Sequence, residues 1–230
     1  MTLTPSGIAG GTLAGVFGLL RALRPPRPIH PHGVALTGSL RWLTGRGASG
    51  IDFIDHPHTS ELPLTARVSR SIGVPAPLPD VIGLALRFET TGAPADLLLA
   101  STGFGVPSRF WLAAHRSPSR ARLTTLMPLR TPNGPLLIAA RTLEPADLPT
   151  DVGQLATRLE STSWRLKLYH ATPLGHWHPF AIVELWREPG AIDTIDRYDP
   201  VRHPLPGTTT YRWERRLREP SYLSVQRHTQ

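Results

Sequence analysis

The chain has 230 residues and no cysteine, which excludes disulfides, thiolate catalysis and cysteine-ligated zinc or iron–sulfur sites. A net charge of +8 invites a nucleic-acid reading, yet all but one of the 25 basic side chains are arginine. They are scattered, and the densest group, Arg212 to Arg218, is broken by Trp213 and Glu214, so the skew reads as codon composition and no nucleic-acid partner is expected.

Twenty-five prolines and 20 glycines are more than a helical bundle tolerates and suit short strands joined by tight turns. Residues 1–24 are predicted as a leading apolar helix, with its apolar run from Gly7 to Leu20. No basic residue precedes that run and it is short for a bilayer span. The expectation is a cytoplasmic protein whose first helix packs on the body or touches a membrane surface. Residues 25–230 are predicted as one domain.

Period-2 alternation marks the next segments as half-buried strands. Val34, Leu36 and Leu40 alternate in the first. Leu62, Leu64, Ala66 and Val68 share one face of the second, with Arg67 and Ser69 on the other. Leu84, Leu86 and Phe88 repeat the pattern, and residues 95–102 make a fourth strand. Residues 106–117 read as a short helix. Residues 122–130 and 134–143 flank a turn at Asn133-Gly134. A second short helix falls within residues 149–160, and residues 164–172 and 180–188 pair as a hairpin. The whole is β-rich (α+β): about eight antiparallel strands closing a barrel, a few flanking helices, and a tail that turns helical after Tyr211.

Three stretches together resemble the heme-binding core of the catalase superfamily. "RPIHPHG", Arg27 to Gly33, resembles the R-x-x-H-x-x-G stretch around that family's distal histidine. Ala66 to Phe88 is similar to its R-x-S strand and the D-x-x-G segment that follows, with Arg67, Ser69, Gly73, Asp80, Gly83, Ala85 and Phe88 in step. The tail offers Tyr198-Asp199-Pro200, Pro206-Gly207, then Arg218, Ser221, Tyr222 and Arg227 in the order of the family's proximal helix. The three blocks span residues 27 to 228.

The resemblance implies a heme b cofactor with Tyr222 as axial iron ligand. It implies His30 as distal acid/base, Ser69 as its hydrogen-bonding neighbour, and Arg27, Arg67, Arg218 and Arg227 as cofactor-binding cations. The R-x-x-x-Y spacing suits that chemistry, because a phenol titrating near pH 10 must become a phenolate to bind iron. A guanidinium one helical turn away favours the ionised form. Partners implied are a peroxide or hydroperoxide and a small-molecule donor; a homodimer is expected apart from the resemblance, because the family's tetramer contacts use elements this chain lacks. One departure stands out. Ala100 occupies the place of the family's peroxide-binding asparagine, and Ser101 can replace it only if the strand shifts register. A peroxidase is therefore the first expectation, with hydroperoxide rearrangement of the allene oxide synthase kind second.

Two other classes stay open. The pairs His30/His32, His56/His58 and His176/His178 have the H-x-H spacing of a metal site within a barrel. A barrel that kept this fold without a cofactor would still have to bury Arg67 against some other anion. No G-x-S-x-G occurs, and the glycines of residues 10–15 lack the strand context of a phosphate loop.

Overall fold

The computed structural model describes residues 32–45, 48–57 and 59–211. The predicted leading helix and the helical tail lie outside them. Eight strands close into one antiparallel barrel: β1 (Gly33–Trp42), β2 (Glu61–Arg70), β3 (Asp80–Glu89), β4 (Pro94–Ser101), β6 (Arg122–Thr124), β8 (Gly134–Glu144), β9 (Trp164–Ala171) and β10 (His178–Trp186). Around the barrel the order is β2-β1-β10-β9-β8-β6-β4-β3, and pairing of β2 with β3 completes the ring. Two short strands lie off it, β5 (Ala114–His115) against β3 and β7 (Leu129–Thr131) against β8.

Because successive side chains point to opposite faces of a strand, closure sorts each strand into an inner and an outer set. Val34, Leu36 and Leu40 of β1, Leu64 and Val68 of β2, and Leu84, Leu86 and Phe88 of β3 are all buried. Leu97, Ile138, Leu166, Leu168 and Val183 complete the filling from the other strands. The ends are plugged. Helix α1 (Asp52–Asp55) brings Phe53 against Trp42 and Phe88, and Trp42 Nε1 donates to the Phe53 carbonyl at 2.8 Å. Helix α2 (Val152–Ser161) starts at Asp151, whose side chain caps the Gln154 amide at 2.9 Å, and buries Leu155, Ala156 and Leu159. With Val152 and Leu155 it meets Val34, Val68 and Ile82 around a cavity of about 10 Å³. A second cavity, beside Asp96 and Thr210, measures about 20 Å³. Neither holds more than a water molecule.

Two predicted elements differ in detail. Residues 106–117 form no α-helix; a 3-10 turn at Ser108–Phe110 is followed by extended β5, because Pro107 and Pro118 bracket a segment too short to propagate helical hydrogen bonds. Residues 122–130 are two strands rather than one, interrupted at Leu126, which adopts φ 59°. The β7–β8 turn residues are Pro132 and Asn133, and Gly134 opens β8 at φ 111°.

Gly38 sits where inward-facing side chains crowd the wall. A Cβ there would overlap the Glu184 carbonyl oxygen and lie 2.9 Å from Leu185 Cδ2. Gly38→Ala is expected to cost about 2 kcal/mol or more in urea unfolding. A loss within about 0.5 kcal/mol, the range of an indifferent surface change, would contradict that packing.

Candidate functional site

On the outer face of β1 to β4 the register lines up small side chains over several strands. Cross-strand partners form a row of Gly33, Ser69, Gly83 and Ala100, and beside it a row of Ala35, Arg67, Ala85 and Leu98. Three inter-strand spacings make this strip about 14 Å broad. Apart from Arg67 and Leu98 the side chains of these rows rise little above the backbone, and Gly33, Ser69 and Gly83 are buried. Arg67 stands at the strip's centre, its residue only 7% exposed.

The buried guanidinium has a carboxylate partner. Arg67 Nε donates to Asp193 Oδ1 at 2.6 Å and Nη2 donates to Oδ2 at 2.8 Å, a bidentate fork. Asp193 also accepts the Gly33 amide at 3.0 Å and the Thr194 amide at 2.9 Å. The Arg67 side chain lies over Gly33, where a Cβ would come within 2.7 Å of its Cζ and 2.8 Å of the Val68 carbonyl oxygen. Only glycine fits there. The Ala35 amide donates to the Ile192 carbonyl at 2.8 Å, so the segment after β10 runs along β1 and delivers Asp193.

A second pair of the same form stands one row further along. Arg87 Nε and Nη2 donate to the two oxygens of Asp96 at 2.7 and 2.8 Å. Asp96 takes the Asp199 amide at 2.6 Å and faces His203 Nδ1 at 3.1 Å. Arg87 also reaches the Arg197 carbonyl at 2.7 Å and lies 5.0 Å from the Tyr198 ring. The chain from Arg197 to His203 is thereby pinned across β3 and β4. Tyr198, Asp199 and Pro200 owe their place to this pair. Gly207, at φ 82°, packs onto Ile51.

Of the predicted site residues, Arg67 and Ser69 are described, and they stand two positions apart on the same outer face of β2. Arg27, His30, Arg218, Tyr222 and Arg227 lie outside the described residues. Ala100 ends the small-residue row opposite Gly83. Ser101 does not replace it: its Oγ accepts the Ile82 amide at 2.9 Å and donates to the Ala113 carbonyl at 2.6 Å, buried on the other side of the strand. No group of three or more His, Asp or Glu able to hold a metal occurs among the described residues. His56 pairs with Asp52 at the surface, and His178 stacks on His170 with ring centroids 5.5 Å apart. Asp193 was not foreseen from the sequence; it is 126 positions from Arg67 and lies in no recognisable motif.

The residues present fit a carboxylate-bearing group: Asp193 shows how a carboxylate docks on the Arg67 fork, beside rows of mostly small side chains. In a heme complex a propionate would share that fork or displace Asp193 from it.

Among solved structures the chain is similar to catalase A from Saccharomyces cerevisiae, at 11% identity and a TM-score of 0.62 over 94% of this chain and 64% of that one. It is also similar to a fungal catalase, at 12% identity and a TM-score of 0.58 over 87% of this chain and 58% of that one. The chain thus spans about three-fifths of the length of these catalases, and the likeness establishes a catalase-like fold. No protein-family model matches the chain, and no curated protein matches it.

Burial alone would raise the carboxyls of Asp193 and Asp96, but the arginine hydrogen bonds and the amide donors outweigh it and hold both below the ordinary range. A depressed carboxyl contributes stability above its unfolded value and loses it as pH falls through the folded one. Urea midpoints should therefore hold from neutrality to about pH 5 and fall below about pH 4. Asp96→Asn should lower stability at neutral pH by about 3 kcal/mol and flatten the acid limb. A midpoint unchanged into strong acid would contradict these pairings.

Proposed function

We propose that the chain is a heme-dependent oxidoreductase, a catalase-related peroxidase acting on hydrogen peroxide or an organic hydroperoxide. The observation that carries this reading is the register of the outer face, where Gly33, Ser69, Gly83 and Ala100 form a row of small residues beside a buried arginine on a catalase-like barrel. The three sequence blocks add Tyr222 as the residue that would hold the iron and His30 as the acid/base. When bound, the heme would supply redox-active iron for peroxide chemistry.

The protein's part is to bind, orient and move one proton. Arg67, with Arg27 and Arg227, offers bidentate donors to propionate carboxylates. The positive charge of Arg218 favours the phenolate of Tyr222. His30 would take the proton from one peroxide oxygen and return it to the other, assisted by the Ser69 hydroxyl. Ala100 contributes no hydrogen bond to a bound peroxide. That supports peroxidation of a donor over disproportionation of two peroxides.

The test is an absorption titration with hemin, wild type beside Tyr222→Phe. One equivalent taken up, with a high-spin ferric spectrum that changes in Tyr222→Phe, is the expected result. No stoichiometric uptake, or a spectrum indifferent to Tyr222, would overturn the proposal. On the heme-loaded protein, Ala100→Asn should raise oxygen evolution from hydrogen peroxide by about tenfold or more, the scale of one added hydrogen-bond donor. An unchanged rate would dissociate Ala100 from the peroxide site.

A further inference from the structure

On the side of the barrel formed by β6, β8 and β9, two neighbouring rows of outward side chains differ in a telling way. One runs Glu144, Arg165, Glu184 across β8, β9 and β10, with signs alternating and Arg165 ion-paired to Glu144. The other runs Arg122, Arg141, Lys167 across β6, β8 and β9, then Ile182 on β10 and Arg41 on β1. Three cations stand directly opposite one another, an arrangement that destabilises a sheet. Among the described residues none of Arg41, Arg122, Arg141 and Lys167 forms an ion pair, and the nearby Asp147 is committed to Arg158. An anion from outside the described chain would relieve that repulsion.

The same face continues into an apolar crest. Arg141 lies 5.3 Å from the Phe104 ring, and Phe104 packs on Tyr169 and stacks on Trp177 at 4.9 Å. Trp177 Nε1 donates to the Phe104 carbonyl at 2.7 Å. Arg109, 4% exposed, stacks over Trp177 and donates to the carbonyls of Thr172 at 3.3 Å and Gly175 at 3.0 Å. These contacts clamp the loop after β4 to the β9–β10 turn. From that clamped pair Leu174 stands 79% exposed, Trp111 56% and Val106 49%.

We propose that this face docks on an anionic lipid surface, with Arg122, Arg141 and Lys167 on headgroup phosphates and Leu174, Val106 and Trp111 entering the acyl boundary. Charge complementarity names the anion, and the exposed aliphatic tips decide for lipid. A polynucleotide backbone has no use for Leu174 and Val106, whereas a membrane interface takes cations, aliphatics and tryptophan together. The proposal is independent of heme binding.

The test is co-sedimentation of the full chain with vesicles of phosphatidylcholine alone and of phosphatidylcholine mixed with phosphatidylglycerol. Wild type should partition onto the mixed vesicles and not the neutral ones. Arg122→Glu with Lys167→Glu should weaken that partitioning by at least about 20-fold, since each cation near such a surface adds about fivefold. The melting temperature of that variant should not fall, because Arg141 is then flanked by carboxylates. Leu174→Asp should also weaken binding. Arg158→Glu with Arg197→Glu, which changes net charge equally but lies on α2 and outside β3–β4, should leave it within about threefold. Equal binding to both vesicle types, no binding to either, or equal loss in both double variants would overturn the proposal. So would binding of a single-stranded oligonucleotide at a salt concentration where the vesicles are not bound.

Discussion

Pairing of β2 with β3 closes the sheet, and that closure decides what each strand can do. An inward side chain must fill a solid core, while an outward one is available for chemistry. With the interior packed by Leu64, Leu84, Phe88, Leu166 and their neighbours, a ligand larger than water has no room among the described residues inside the barrel. The outward side chains stand on the other surface of the wall. There the register sets small residues side by side on β1 to β4 and like charges side by side on β6, β8 and β9.

The outer surface is organised by arginine–carboxylate forks rather than by apolar burial. Arg67 holds Asp193 and Arg87 holds Asp96, and each carboxylate collects backbone amides from the segment that crosses the barrel wall. Burial makes both pairs costly to break, while the arginine and amide hydrogen bonds hold both carboxyls below the ordinary range against it. The two forks differ in what surrounds them. Asp96 is fully buried beneath a pinned segment, whereas the Asp193 side chain is 31% exposed and sits at the edge of the small-residue rows. Arg87 is thus a fastening. Arg67 stands where a ligand's carboxylate would have to compete with an internal one.

Much of this was legible in the sequence because it is local. Alternation at Leu62, Leu64, Ala66 and Val68 placed Arg67 and Ser69 on the outer face, and the structure has them there. What failed to show was non-local or poorly periodic. The segment around Pro107 carries apolar residues at helical spacing, yet its extended end is set by pairing with β3, which no local pattern reveals. Asp193 is an acidic residue in an unremarkable loop until the fold brings it to Arg67. The basic row is equally hidden: Arg122, Arg141 and Lys167 are spread over 45 positions and meet only through strand register.

The proposed docking of a carboxylate-bearing planar cofactor on Arg67 is tested most directly by comparing hemin with its dimethyl ester, because esterification removes the propionate charges and leaves the macrocycle intact. The dissociation constants should favour hemin in the wild type, and that preference should shrink in Arg67→Leu. Equal affinity for hemin and the diester in the wild type, or a preference untouched by Arg67→Leu, would contradict the claim.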